Sequence, residues 1–249
     1  MSIDPASRLR KFRYSDTKKV SKPKPVKHIK SKKTRTVANY EGLNDLNPSV
    51  QPDLQVLFVG FNPGVESSRT QHHYAHHTNL FWKLFNQSRL LFWVLERNGK
   101  TNNKDDLLLN QLTINGESHA TAVNDFELIK YNIGFTDLVL RCTKSAQELT
   151  MQEKLDNVPR LLREWNLAQA KKIVIIGKGI WEIIIKYISR KQGIKVQRFD
   201  WGVQNNAYTQ WVCSEAGIES DIHVLPNTSG LVTSMNFAQK LALWNEIKN

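Results

Sequence analysis

The sequence predicts an α/β protein, with three αβα layers around a mainly parallel central sheet and a disordered basic tail in front. Three observations carry that prediction. Short apolar runs such as LQVLFVG (54–60) and KKIVIIG (171–177) end on glycine turns, and stretches of helical period separate them; strands buried on both faces read this way. The 249 residues are 40% hydrophobic, enough for one sizeable core. The formal charge of +12 is lopsided: Met1–Val37 carries thirteen Lys and Arg against two Asp, and the remainder carries 22 basic against 21 acidic residues.

Taken in order, the tail is centred on KKVSKPKPVKHIKSKKTRT and is placed at residues 1–50, with the folded domain at 51–249. Repeated Lys and Pro with few apolar residues cannot offset the entropy of ordering. The run reads either as a solubilising segment or as an arm that grips nucleic acid and carries a nuclear address. A mitochondrial presequence is the alternative, but Asp4, Asp16 and the prolines oppose it. After the strand at 54–60 comes a loop to about His77, then one helix from about Asn79 to Leu95, capped by Thr78 or Asn79. Leu80, Phe81, Leu84, Phe85, Leu91 and Phe92 supply its period. Periodicity fails over 96–120, as expected of a surface insertion. NIGFTDLVL leads into a strand or loop, and a helix opens at Thr150 with Glu153 at capping-box spacing. KKIVIIGKGIWEIIIKYI reads as strand, glycine turn and helix. Short strands are expected at KVQRF (195–199), TQWVC (209–213) and DIHVLP (221–226), and a closing helix from about Asn236 to Ile247.

Cys142 and Cys213 make no disulfide framework, and no Cys/His spacing suits zinc. No run approaches 18 apolar residues. The expectation is an intracellular, soluble monomer with no membrane partner, no cofactor and no metal. His72, His73, His76 and His77 lack accompanying carboxylates or thiolates in sequence and read as pocket-rim or DNA-facing residues. IIGKG lacks the spacing and the Lys-Ser/Thr end of a phosphate loop, so nucleotide chemistry there is disfavoured.

Ligands of open parallel sheets bind at the carboxyl ends of strands, which directs attention to GFNPG (60–64) and LPNTSG (225–230). Alone, Asn-Pro-Gly is a common turn. Its neighbourhood, GFNPGVESSRTQHHYAHHTNLFWK, is more specific. This stretch resembles the signature of the mismatch-specific uracil/thymine DNA glycosylases, a family of the uracil-DNA glycosylase superfamily, with its Gly-X-Asn-Pro-Gly loop and Asn-X-Phe-Trp-Lys helix start. GKG, WGVQ (201–204) and LPNTSGL follow in the family's order. The resemblance runs from about Leu54 to the C-terminus, outside the insertion.

That resemblance implies hydrolysis of the N-glycosidic bond of an extrahelical uracil, or of thymine or a damaged pyrimidine, opposite guanine in double-stranded DNA. Asn62 would hold the attacking water, and backbone N–H groups from Gly64 onward would meet the leaving base. Ser67 aligns with the position facing the pyrimidine 5-edge; as a residue alone it reads equally as a helix cap or a solvent-facing serine. Tyr74 aligns with the aromatic that stacks on the flipped base, against a plain loop tyrosine. Asn79 aligns with a polar family residue, against a simple helix cap. Leu231 aligns with the wedge that fills the vacated stack, against a core leucine; Asn227, Ser229 and Gly230 would approach phosphates or the orphaned base. At Thr233, two residues after the wedge, the chain departs from bacterial members, which often carry arginine there. The competing function is a noncatalytic DNA-binding protein that keeps the fold.

Overall fold

The computed structural model describes residues 43–100, 105–192, 199–232 and 234–249. In chain order the elements are β1 (Val56–Gly60), α1 (Val65–Thr70), α2 (Phe81–Gln87), α3 (Leu90–Arg97), α4 (Leu107–Leu112), β2 (Thr113–Ile114), β3 (Glu117–Ser118), β4 (Ile133–Asp137), α5 (Met151–Ala168), β5 (Lys172–Ile176), α6 (Lys178–Gln192), β6 (Gly202–Val203), α7 (Ala207–Ala216), β7 (Asp221–Leu225) and α8 (Phe237–Glu246). Strand order in the main sheet is β4-β1-β5-β7-β6. The first four strands are parallel, and β6 adds a two-residue antiparallel edge.

Alternation along each strand feeds two cores. Leu57 and Val59 of β1, with Ile173 and Ile175 of β5, pack against α5, α6 and α7. Val56 and Phe58, with Val174 and Ile176, pack against α2, α3 and α8. The expected α/β, three-layer architecture is therefore present. Because β1 lies between β4 and β5, the chain turns to opposite sides around its carboxyl end. A crevice for a ligand opens at such a switch point.

Several local expectations need correction. The single helix over 79–95 is two, because Arg89 takes a left-handed φ of 56° between α2 and α3, while the apolar period runs across the break unchanged. TQWVC is not a strand but part of α7. Asn206 caps that helix by accepting from the Tyr208 and Thr209 N–H groups, Gly217 ends it at φ 65°, and Tyr208, Val212 and Ala216 bury one face. A stretch of five residues is too short for periodicity to tell strand from helix. At Thr150 only half of the capping box forms. The hydroxyl accepts from the Glu153 N–H, and the Glu153 carboxylate instead takes Arg141.

Residues 43–50, placed in the tail by composition, pack on the domain: Leu46 and Ser49 are buried, and Ser49 exchanges two backbone hydrogen bonds with Phe135. The rest of the expected tail lies outside the described residues, as does most of KVQRF. Within 96–120, α4 and the β2-β3 hairpin anchor the stretch through buried Leu109, Leu112 and Ala120, so it is not wholly a surface excursion.

Candidate active site

The chain leaves β1 as Phe61–Gly64, and the segment leaving β4 runs beside it. Leu138 N–H donates to Gly60 O at 2.8 Å, Val139 N–H to Phe61 O at 3.0 Å and Thr143 N–H to Pro63 O at 3.2 Å. Asn62 sits in this frame. Its Nδ2 donates to Pro63 O at 3.2 Å, Arg141 O at 3.2 Å and Thr143 Oγ1 at 2.8 Å, and the Thr143 hydroxyl donates onward to Ser145 O at 2.9 Å. Carbonyls accept and never donate, so the amide has one possible orientation. Its Oδ1 is left without a donor among the described residues. Two ion-paired arginines keep the frame in place. Arg141 donates to both carboxylate oxygens of Glu153 from Nε and Nη2, one edge of its guanidinium; Arg160 donates to Asp137 O at 2.6 Å and Leu138 O at 2.8 Å.

Gly64 has an ordinary extended backbone, φ −79° and ψ 172°, and a Cβ there would meet nothing within 4 Å. The fold itself does not demand glycine at this position. Gly60 is the opposite case: a Cβ would collide with Asp137 Oδ1 and stand 3.0 Å from the Tyr74 hydroxyl.

These two groups form the wall beside the loop. Tyr74 has a left-handed φ of 55°, and its ring lies parallel to Phe81 with centroids 3.9 Å apart. One face of the ring is thereby covered. Its hydroxyl is buried without a partner among the described residues, and burial, followed by the nearby Asp137 charge, pushes the phenol well above its usual range. Asp137 is 5% exposed. Burial pushes its carboxyl up to about 6, although His73 and Arg160 pull the other way. A buried carboxyl beside a phenol without a hydrogen-bond partner among the described residues is a candidate functional site.

The loop 71–79 is built to hold Tyr74. Ser67 is buried in α1, neither a cap nor facing solvent, and its hydroxyl accepts from the Ala75 N–H at 3.2 Å. Buried Asp125 takes His72 Nδ1 at 2.8 Å, His73 Nδ1 at 2.8 Å and the His73 N–H at 2.7 Å. Burial raises that carboxyl, but the hydrogen bonds from His73 and His72 outweigh it and hold it below the usual value. Two of the four histidines thus turn inward, while His76 and His77 are exposed and stack on one another at 4.5 Å. Among the described residues no group of three His, Cys, Asp or Glu could hold a metal ion. Asn79 Oδ1 accepts from the Phe81 N–H at 3.0 Å, the capping use of that side chain.

The exit of β7 carries the second loop. Asn227 Oδ1 accepts from the Ser229 N–H at 2.7 Å, and Ser229 Oγ from the Leu231 N–H at 3.3 Å. Leu231 is 91% exposed, so it is not a core leucine. The loop leans on the start of α2: Leu80 N–H donates to Thr228 O at 2.8 Å, and a Cβ on Gly230 would come within 2.7–2.8 Å of Thr78. Gly177 at the exit of β5 has φ 127° and faces Asn227, while Lys178 pairs with Glu182 along α6. Thr233 lies outside the described residues.

Sequence reasoning missed Asp137, Arg141, Thr143 and Asp125. One signal was present, an ionisable residue closing the otherwise apolar run IGFTD; partners so distant in sequence left no other.

A family model described as the uracil DNA glycosylase superfamily matches residues 48–248. The G/U mismatch-specific uracil DNA glycosylase of Schizosaccharomyces pombe (strain 972 / ATCC 24843) is 27% identical over 241 residues, which cover 95% of this chain and 62% of that protein. The similarity therefore reaches into the segment before Leu54.

Proposed function

The chain belongs to the uracil DNA glycosylase superfamily, and from that membership we propose that it hydrolyses the N-glycosidic bond of uracil mispaired with guanine in duplex DNA. The observation that carries this reading is the pinned amide of Asn62, whose nitrogen is spent on three acceptors and whose oxygen is free to hold a water.

As the glycosidic bond lengthens, the sugar becomes cation-like and the base leaves as an anion. A carboxamide oxygen orients a water toward the anomeric carbon but does not take its proton strongly. Asn62 therefore positions the nucleophile, and catalysis leans on stabilising the departing base. The open space at Gly64 lets the backbone N–H groups at the start of α1 approach the oxygens of that base. Tyr74 offers the ring face not covered by Phe81, a stacking contact worth about 1–3 kcal/mol. Asp137, close to the Tyr74 hydroxyl, is assigned to the edge of the flipped ring.

From the loop after β7, Leu231 would enter the stack the base has left, with Asn227, Ser229 and Gly230 against the backbone or the orphaned guanine. The Schizosaccharomyces pombe relative is named for G/U mismatches, which supports uracil over the bulkier thymine. In single-turnover assays on a G·U duplex, Asn62→Ala is expected to slow excision by at least about 100-fold without weakening duplex binding; full activity in that variant would overturn the mechanism. Duplexes carrying uracil, thymine or ethenocytosine opposite guanine set the substrate range. Faster release of thymine than uracil would refute the assigned preference.

A further inference from the structure

The wedge loop has a support that its own sequence does not reveal. Lys240, in the first turns of α8, is 1% exposed. Its helix is fixed from below, since Trp244 is fully buried and stacks on Phe58 of β1 with centroids 5.5 Å apart. From that base the side chain runs up under the exit of β7. Its ammonium donates to Asn227 O at 2.9 Å and Val232 O at 3.2 Å, the carbonyls at the two ends of the loop that displays Leu231.

A buried ammonium without a carboxylate is costly. Among the described residues Lys240 has no ion-pair partner, and burial alone pushes its pKa down. Core packing would be served better by an apolar side chain, so the two carbonyls are what the lysine is there to meet. Apart from the lysine, the turn is held by short internal bonds from Asn227 and Ser229 and by the contact with α2. An exposed leucine gains nothing from burial to keep it in place.

We propose that Lys240 is the positioning residue of the 227–232 loop, its ammonium clamping both ends so that Leu231 stands ready to enter a duplex. This rests on the wedge reading of Leu231, and the test separates the two. Single-turnover excision from a G·U duplex is measured for Leu231→Ala, Lys240→Met and the double variant. Fluorescence of a 2-aminopurine next to the uracil reports opening of the stack. Lys240→Met keeps the length of the chain and removes the donors.

Each single variant is expected to lose about tenfold in rate and most of the fluorescence rise, and the double variant to be no worse than the poorer single, because each change disables the same step. Multiplying losses would overturn the clamp and leave Lys240 as a residue of general stability. If Leu231→Ala alone changed neither rate nor fluorescence, the wedge reading itself would fall. Should Lys240→Met not fold, Lys240→Gln, which keeps a donor at shorter reach, enters the same cycle with the same expected coupling and the same overturning result.

Discussion

The exits of β1 and β7 each present an asparagine, and the two are used in opposite ways. Asn62 spends its nitrogen on Pro63, Arg141 and Thr143 and keeps its oxygen free. Asn227 spends its oxygen on the Ser229 N–H two residues on, and its nitrogen meets no acceptor among the described residues. The first side chain is oriented by residues 79 and 81 positions away; the second caps its own turn. One loop thus displays an acceptor suited to water, the other a donor suited to a phosphate or a base edge. Residue type sets what an amide can do, and its neighbours decide which half remains to do it.

The glycines sharpen this contrast, and the largest effect is expected there. Gly64 faces open space and Gly230 faces Thr78, so the same substitution should act differently in each loop. Gly64→Ala should slow excision by about 100-fold, the scale of a 1 Å misplacement of substrate, with thermal stability unchanged. Gly230→Ala should lower stability as well, since Thr78 presses with backbone and side chain. Equal melting temperatures for the two variants, measured calorimetrically, would erase the distinction.

A smaller effect is expected at Thr143. Thr143→Val keeps the shape and removes the shortest of the three bonds that orient Asn62, a change of about 1 kcal/mol, or roughly fivefold in the single-turnover rate with binding unaltered. A Thr143→Val rate equal to that of the parent would mean that the two carbonyls suffice.

The last effect is expected in stability, with no change in rate attached to it. Folding raises the Asp137 carboxyl from 3.8 to about 6, so over that interval the native state holds a proton that the unfolded chain releases. The penalty is absent below about pH 4 and complete above about pH 6, where it reaches at most about 3 kcal/mol. Asp137→Asn should therefore raise stability at pH 7.5, with the advantage shrinking as the pH falls toward 4. Denaturant titrations across that range give the profile; a pH-independent difference would exclude the carboxyl as its source.

Much of this molecule was readable before folding. The strands at 54–60, 171–177 and 221–226 announced themselves as apolar runs ending in turn residues, and the loops that carry Asn62 and Leu231 follow from where such strands stop. Arg89 was not readable, because a left-handed residue inside an apolar period leaves that period intact. Nor was α7, where five residues fit either backbone.

By itself the sequence determined the layers, the order of strand and helix, and the side chains available at the carboxyl ends of the strands, because burial and turn chemistry act between near neighbours. Only the tertiary structure decided which atom of Asn62 stays free, that Asp137 is held beside Tyr74, and that Lys240 reaches beneath Leu231. Those outcomes depend on hydrogen bonds and desolvation between groups that the chain brings together only when the sheet closes, and no spacing along the sequence encodes them.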